Sequence, residues 1–294
     1  MKKTISLSIV VLCIGAISWW LFQPERIEIE TAFVEKGSIT EYLASDGYFR
    51  SLDRRTLTAF ADGEIESLVL KPGDPVKNGQ VITRILWDVA PEPLLSPLSG
   101  VVSRVWRETA GPVRRGDPLI EIIDPKRLEI VAEILTSDAA RIRPGQSATV
   151  KGFGSRSPLP ARVKRLSRAA FVKVSALGVD EERTEVILEP LSSVSNLAPW
   201  TGNLFHAEVN IETARVEHCL KVPIGSLVRS GGDWSVFIVR ERRAHRIAVA
   251  RGIDDGHWVE ILAGLSGTER VILYPEDRVR EGAGVKLSES RGKR

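Results

Sequence analysis

The sequence contains two segments that match each other without a gap when one is shifted by 37 positions. The first runs from Gly63 to Ile85 and the second from Gly100 to Ile122, with glycine, proline and apolar residues at corresponding positions. Such internal similarity has to be recognised before single elements are assigned, because it indicates that one structural unit occurs twice. We therefore predict two equivalent halves in this part of the chain.

Each half is predicted to be a small curl of strands joined by tight turns. Apolar positions in Glu64–Lys71 predict a strand with one mostly buried face. Pro72-Gly73 suits a type II turn, because proline presets φ at the second position and glycine accepts a positive φ at the third. Asn78-Gly79 predicts a turn of the primed kind that joins antiparallel strands. Structural turn positions are predicted at Gly63, Gly73, Gly79, Gly100 and Gly116. One curl cannot bury its own apolar face, whereas two facing halves can.

This pattern resembles the lipoyl and biotinyl carrier domains, in which two such halves interlock as a flattened barrel. In those carriers a lysine in the turn between the halves receives the cofactor. Here the connection from Leu86 to Ser99 contains three prolines and no lysine, so no amine is placed to form the amide. We therefore predict no cofactor, and a biotin or lipoate carrier is kept only as a third hypothesis.

The amino-terminus predicts a membrane anchor. Two lysines precede an uncharged run from Thr4 to Phe22, which matches the roughly 20 residues that a helix needs to cross a bilayer. Lysines on the leading side and tryptophans on the trailing side predict an N-in, C-out helix with an interfacial aromatic belt. A cleavable signal peptide is the alternative, although the bulky residues before Gln23 do not suit cleavage. Either outcome places Arg26–Arg294 beyond the membrane.

Composition limits the class of the exported part. Its many turn residues and its lack of long helical periodicity predict a mainly β protein. The net charge of 41 − 38 = +3 is too small to require a polyanionic partner. No nucleic acid is expected, because the predicted export signal and the absence of interleaved aromatic residues disfavour it. Because Cys13 lies in the predicted anchor and Cys219 is alone, no intrachain disulfide is available to the exported domains.

The remaining chain predicts two further β-rich units. Ile27–Tyr42 has strand-like spacing, and Asp124-Pro125 marks a boundary after the second half. Beyond it, strands and one short helix at Thr136–Ile142, capped by the Thr136 or Ser137 side chain, are sufficient for a closed β-barrel, which leaves no exposed strand edge. Val216–Leu287 predicts several short strands of a third unit.

The order of these parts resembles the periplasmic adaptor subunits, or membrane fusion proteins of the HlyD, AcrA and MacA type, of bacterial efflux systems. The motifs that carry the resemblance are Gly63-Glu-Ile, Pro72–Gly79, Ser96–Val102, Arg141–Gln146, Val174–Arg183 and Leu220–Pro223. The resemblance implies a transmembrane anchor at 1–24, a lipoyl-like barrel-sandwich hybrid at 46–124, and a small β-barrel with one short helix at 125–215. It further implies a membrane-proximal β-domain from 25–45 and 216–289, followed by a tail at 290–294.

The resemblance also implies partners and a location. Such adaptors ring an inner-membrane transporter, often as hexamers, and couple it to the next component. We therefore expect a single-pass protein of the bacterial inner membrane with the bulk of the chain in the periplasm, a homo-oligomer, and a transporter of the RND or ABC class. An envelope scaffold or binding module that reuses the same domains without transport is the alternative.

One departure from the family pattern concerns the connection between the halves. Family members usually insert a long α-helical hairpin there, and its tip meets an outer-membrane channel. Leu86–Ser99 is too short for two antiparallel helices, because even one isolated helix needs about 12–15 residues, and prolines break helices. This departure puts direct docking to a TolC-like channel in doubt.

No catalytic pattern is present in the sequence. It contains no Gly-x-Ser-x-Gly elbow, no His-Glu-x-x-His helix and no phosphate-binding glycine loop, so we predict no enzymatic activity and no metal. The sequence Asp254-Asp-Gly-His257 holds hard ligands close together, but Asp-Asp-Gly is also what a hairpin turn requires.

Two groups of residues are candidate partner contacts. The connector offers Trp87, Leu94 and Leu95 near Asp88 and Glu92, for a neighbouring subunit or a periplasmic partner; an inert turn is the alternative. The basic segment Arg240–Arg246 offers Arg242, Arg243 and Arg246, for the acidic face of a transporter or for anionic lipid; a solvated hairpin is the alternative.

Overall fold

The computed structural model describes residues 26–194 and 201–288. The predicted anchor at 1–24 and the predicted tail at 290–294 lie outside the described residues. Within the described ranges, no helix is long and apolar enough to cross a membrane. The chain forms two compact units, one from Tyr42–Thr213 and the other from the described parts of Met1–Glu41 and Ala214–Arg294. Both are mainly β, as predicted.

The described elements follow one another with short connections. The first strands are β1 (Ile27–Phe33) and β2 (Glu35–Ser51). The next eight are β3 (Arg54–Thr58), β4 (Gly63–Ile65), β5 (Pro75–Val76), β6 (Val81–Leu86), β7 (Pro91–Leu95), β8 (Gly100–Val105), β9 (Gly111–Val113) and β10 (Pro118–Ile123). These are followed by β11 (Leu128–Leu135), helix α1 (Thr136–Ala139), β12 (Ser147–Lys151), β13 (Leu159–Val174), β14 (Asp180–Pro190) and β15 (His206–Pro223). A 3₁₀ turn at Ile224–Ser226 precedes β16 (Leu227–Ser230), β17 (Asp233–Arg240), β18 (Arg243–Ala248), β19 (Ala250–Asp254), β20 (Trp258–Ala263), β21 (Arg270–Leu273) and β22 (Val285–Leu287).

The internal repeat of the sequence is an internal repeat of the fold. When the bounds of β3 are shifted by 37 positions, they coincide with those of β7. The same shift brings the bounds of β6 onto those of β10. The strands form two four-stranded sheets, in the orders β3-β10-β8-β5 and β7-β6-β4-β9. Each sheet therefore contains two strands from each half, and the halves are interlocked rather than merely adjacent.

The connector between the halves is shorter than the sequence indicated. Pro91–Leu95 was predicted as part of a bridge but is strand β7, the counterpart of β3, and it pairs with β6. The link is therefore only Trp87–Ala90. The prolines at 91 and 93 are tolerated because β7 lies at the edge of its sheet, where a missing N–H leaves no ladder bond unmade.

The predicted turns are correct in place but not all in type. Asp74 N–H donates to the Lys71 carbonyl (3.0 Å) and φ of Gly73 is +97°, which confirms the type II turn. The primed turn is wrong, because φ is positive at Gly79 but not at Asn78. The strands around it, β5 and β6, belong to different sheets. The predicted strand Glu64–Lys71 is also wrong, since β4 ends at Ile65.

Equivalent hydrogen bonds tie each half to the other. Gly79 N–H donates to the carbonyl of Ser96 (2.7 Å), and its counterpart Gly116 N–H donates to the carbonyl of Ala59 (2.8 Å). Between the sheets lies one apolar core, whose buried members are Leu57, Ala59, Ile65, Leu68, Val76, Ile82, Ile85, Val102, Val113, Leu119, Ile120 and Ile122. Most come in pairs from corresponding positions, so the core itself is nearly two-fold symmetric.

The second part of Tyr42–Thr213 is the predicted closed barrel. Six strands follow in the order β12-β13-β14-β11-β2-β15, and β12 pairs again with β15 to close the ring. Its core includes Phe49 and Phe153, whose rings meet edge to face with centroids 5.2 Å apart. Helix α1 begins where predicted, but the predicted side-chain cap is wrong: no side chain caps it, and Thr136 instead donates its hydroxyl to Glu182.

The predicted domain boundary at residue 46 falls within a strand. Residues Gly47–Ser51 of β2 pair with Leu128–Ala132 of β11 and so belong to the barrel sheet. The division into domains stays a prediction in its other respects.

The other unit is built on β1, the fourth strand in the order β16-β17-β21-β1-β22, with β18 paired to β17. Strand β20 pairs with the Leu220–Pro223 end of β15, and β19 pairs with the other side of β20.

Candidate interaction surfaces

The link between the two halves presents some of its predicted contact residues and buries another. Trp87 is about half exposed, and its indole N–H donates to a carboxylate oxygen of Glu92 at 3.0 Å. Asp88 and Leu95 are exposed, whereas Leu94 packs against the core of the interlocked halves. Leu94 is thus a core residue, and the exposed surface of the link is formed around Trp87.

The short link bears on the carrier hypothesis. The tight turn between the halves is now Trp87–Ala90, and it has no lysine. A carrier presents its modified lysine at the tip of this turn. The link between the interlocked halves therefore lacks the residue on which the chemistry of the carrier domains that the sequence resembles depends.

The basic segment is a two-residue hairpin, and the structure divides its arginines between two surfaces. Arg240 pairs directly with Arg243 across the β17–β18 turn, so Glu241 and Arg242 alone form the loop. Arg246 lies farther along β18, where its Nε donates to the Ser235 hydroxyl at 2.9 Å. Arg242 and Arg243 are thus brought together with Arg240, while Arg246 lies apart.

Arg246 belongs to a groove around Trp234. The guanidinium groups of Arg229 and Arg251 lie over the Trp234 ring, 5.7 and 5.2 Å from its centroid, at distances typical of cation–π contacts. Arg251 also pairs with Asp254 at 2.5 Å. The groove therefore combines an aromatic ring with cationic groups that are partly neutralised.

A third surface was not identified from the sequence. The outer part of the β13–β14 hairpin, residues 168–180, carries four apolar side chains that are more than half exposed: Val172, Val174, Leu177 and Val179. Leu177, at the turn, is 90% exposed. Exposed apolar clusters of this kind mark interaction sites. The signal in the sequence was the run Phe-Val-Lys-Val-Ser-Ala-Leu-Gly-Val, whose second part, from Val174, was used only as a motif of the family resemblance.

The segment Asp254–His257, for which the sequence allowed a metal site or a hairpin turn, forms a turn. The Asp255 carboxylate accepts hydrogen bonds from the backbone N–H groups of His257 (2.9 Å) and Trp258 (2.7 Å), and φ of Gly256 is +85°. The carboxylate is thus engaged by the backbone of its own loop. In the described part of the chain, no group of three or more His, Cys, Asp or Glu residues could hold a metal ion.

Comparison with solved structures shows that this fold is shared with crystallised proteins of the MacA type. The crystal structure of MacA from Actinobacillus actinomycetemcomitans superposes with a TM-score of 0.62 at 15% identity, covering 84% of this chain and 99% of that chain. A MacA–MexA chimeric protein, which contains the Pseudomonas aeruginosa MexA α-hairpin domain, gives 0.57 at 16% identity, covering 81% and 98%.

Sequence comparisons point to the same class. Residues 219–287 match the family model of the YknX C-terminal permuted SH3-like domain. The curated protein "Putative efflux system component YknX" of Bacillus subtilis (strain 168) is 25% identical over 196 residues, which cover 65% of this chain and 51% of that protein. The chain thus spans about half the length of this relative. The predicted resemblance to membrane fusion proteins is confirmed.

Proposed function

We propose that this protein is a non-enzymatic adaptor of an inner-membrane efflux or export transporter. Its N-terminal helix anchors it in the inner membrane, and its β domains pack on the periplasmic part of the transporter. The observation that carries the proposal is the interlocked pair of carrier-like halves without a carrier lysine, joined in one chain to a closed six-stranded barrel. A domain that has the carrier fold but not its chemistry is suited to assembly rather than to group transfer.

The short link shapes the proposed mechanism. Because the halves are joined by Trp87–Ala90 alone, the domain has no helical extension with which to reach an outer-membrane channel. The adaptor therefore acts close to the transporter, and passes on the transporter's cycle through the packing of its domains. An RND or an ABC permease fits this role equally well.

Self-association is part of the proposal. The apolar hairpin tip around Leu177 and the link around Trp87 both lie in the Tyr42–Thr213 unit, and they offer two separate exposed surfaces. Two different surfaces on one chain allow head-to-tail contacts, which close into rings when the rotation fits. A homo-oligomer, with six copies as the family precedent, is the form that we expect on the transporter.

The proposal is tested by purifying the full-length chain from native membranes in mild detergent, followed by mass spectrometry of bound proteins. We expect a transporter permease to co-purify in repeated preparations. A chain that is recovered alone and monomeric would contradict the proposal. A deletion strain separates the adaptor from the envelope scaffold, because only loss of an adaptor should change susceptibility to exported compounds.

A further inference from the structure

The β17–β18 hairpin contains a strained turn made of charged residues. Its two loop residues, Glu241 and Arg242, both have positive φ (+49° and +58°), and Arg240 pairs with Arg243 on either side of them. This is the geometry of a type I′ turn, for which Asn-Gly is the favoured sequence. Non-glycine residues rarely adopt this conformation, and such outliers often occur at functional positions.

The same turn places like charges against each other. Arg240 and Arg243 are directly opposite in the strand register, an arrangement that destabilises a sheet when both charges have the same sign. In the part of the chain that the structure describes, none of Arg240, Arg242 and Arg243 forms an ion pair. Arg243 donates to the carbonyl of Gly282 (3.0 Å). The only acidic residue in the loop is Glu241, so an excess of positive charge is left for an external anion.

The turn lies where the chain leaves the predicted anchor. Ile27 N–H donates to the Gly284 carbonyl (3.0 Å), and Gly284 forms a β-bridge with Arg243. Val285 N–H donates to the Arg242 carbonyl at 2.8 Å. The Arg26 side chain also passes Gly284, with Cγ 3.7 Å from where a Cβ would stand. The basic turn and the first residues of β1 thus flank the same short segment, Gly284–Val285, from its two sides.

Chain length then limits how far the turn can be from a bilayer. The predicted span ends at residue 24, and each residue can extend the chain by at most about 3.3–3.6 Å. Residues 25 and 26 alone separate that end from Ile27. With the predicted span in the bilayer, the Arg26–Ile27 end of β1 lies within headgroup distance of the membrane surface, and only the segment Gly284–Val285 separates the basic turn from it.

We propose that Arg26, Arg240, Arg242 and Arg243 form a binding site for the headgroup of an anionic phospholipid. The phosphate lies between Arg240 and Arg243 and relieves their repulsion, and Arg26 and Arg242 contribute further charge. The neighbouring Glu281 forms no ion pair with these arginines among the described residues; its carboxylate instead accepts hydrogen bonds from His245 (2.9 Å) and from the backbone N–H of Arg246 (2.6 Å). This inference rests on the anchor of the proposed function but does not require a transporter.

The test uses the full-length chain in a neutral detergent, with dioctanoyl-phosphatidylglycerol and dioctanoyl-phosphatidylcholine as probes. Binding is measured by thermophoresis and checked by native mass spectrometry of the same samples. We expect phosphatidylglycerol to bind more tightly than phosphatidylcholine. The variant R240Q/R242Q/R243Q should lose roughly fivefold in affinity for each arginine removed, as expected for basic residues near an anionic surface. The matched control R114Q/R115Q, on exposed arginines of the other unit, should bind like the wild type.

A second variant tests whether a loss of binding could come from misfolding. R242G removes one arginine and places glycine at a position of positive φ, so it should fold at least as well as the wild type and still lose part of the affinity for phosphatidylglycerol. Equal binding of both lipids, or an equal loss in the control, would overturn the proposal. So would full competition by inorganic phosphate, because the site would then recognise a free anion. Retained lipid selectivity in a chain that never co-purifies with a permease would refute the transporter role alone.

Discussion

Gly63 lies directly against the carbonyl oxygen of Leu86, so close that a Cβ on Gly63 would be less than 3.0 Å from that oxygen. The same contact recurs 37 positions later, between Gly100 and the carbonyl of Ile123. In both places the neighbour is backbone, in a strand paired with the glycine's own strand. The repeat is thus reproduced at the level of single atoms, and both glycines are required by close backbone approach rather than by a positive φ.

Gly63→Ala and Gly100→Ala should each destabilise the protein by about 1–3 kcal/mol, because the added methyl group forces the paired strands apart. The measurement is the denaturation midpoint of the full-length chain in detergent. Gly202→Ala is the control, since the nearest atom to its Cβ would be at an ordinary 3.5 Å. A loss in the control as large as in the two variants would contradict this explanation.

Replacing Glu241-Arg242 by Asn-Gly should raise the melting temperature by a few degrees, because residues with positive φ are then ones that adopt it readily. Differential scanning calorimetry of the full-length chain measures the effect. E241Q/R242Q removes the same charges but keeps the backbone strain, so it should not give the increase. If both variants melt at the same temperature, charge rather than backbone conformation limits the stability of this turn.

Glu269 should make the stability of the folded protein depend on pH in the acidic range. Partial burial acts to raise the pKa of its carboxyl group, but hydrogen bonds from the Ser266 hydroxyl and from backbone N–H groups of the same loop outweigh burial and lower the pKa to about 2 from its usual 4.5. Because the pKa is lower in the folded state, this stabilisation is complete above pH 4.5 and is lost as pH falls from 4.5 towards 2.

Glu269→Gln should therefore melt below the wild type near neutral pH, and the difference should shrink steadily below about pH 4.5. Thermal melts at a series of pH values follow the difference. Glu64→Gln serves as the control, because the Glu64 carboxylate forms no hydrogen bond or ion pair among the described residues. A difference that is the same at neutral pH and near pH 3 would show that the hydrogen bonds to Glu269 do not depend on its charge.

A photo-crosslinking amino acid at Leu177 should capture a protein partner in intact cells, because this side chain projects from the apolar tip of the β13–β14 hairpin. The products are identified by mass spectrometry. Lys164, exposed on β13 within the barrel, is the matched position and should give few products. Equal labelling at both positions would mean that the hairpin tip is no preferred contact.

The tertiary structure also explains why the second half was only partly recognised from its sequence. Pro91–Leu95 contains two prolines, which argue against a strand when the segment is considered alone. Its equivalence to Arg54–Thr58 could not be found by residue identity, because the two segments share few residue types. Only pairing with β6 across the four-residue link makes it a strand, and this pairing overrides the local signal of the two prolines.

The charged hairpin illustrates the same limit. A solvated turn was a fair prediction for Arg240–Arg246 from composition, and the sequence placed Arg242, Arg243 and Arg246 together. Tertiary pairing then separated Arg246 from the other two and brought the turn against Gly284 and Val285. Gly284 in turn contacts Ile27, more than 200 positions away, and such contacts depend on sheet order, which local periodicity does not encode.

The sequence by itself determined the mainly β class, the repeat and the type II turn at Pro72-Gly73, because glycine, proline and apolar spacing act over a few residues. It also determined the absence of a carrier lysine, which needs no structure to establish. Only the tertiary structure decided that the halves exchange strands, that the link is four residues long, and which charged and apolar side chains share a surface. Those features arise from pairing and burial between distant segments, where the free energy depends on the whole fold rather than on neighbouring residues.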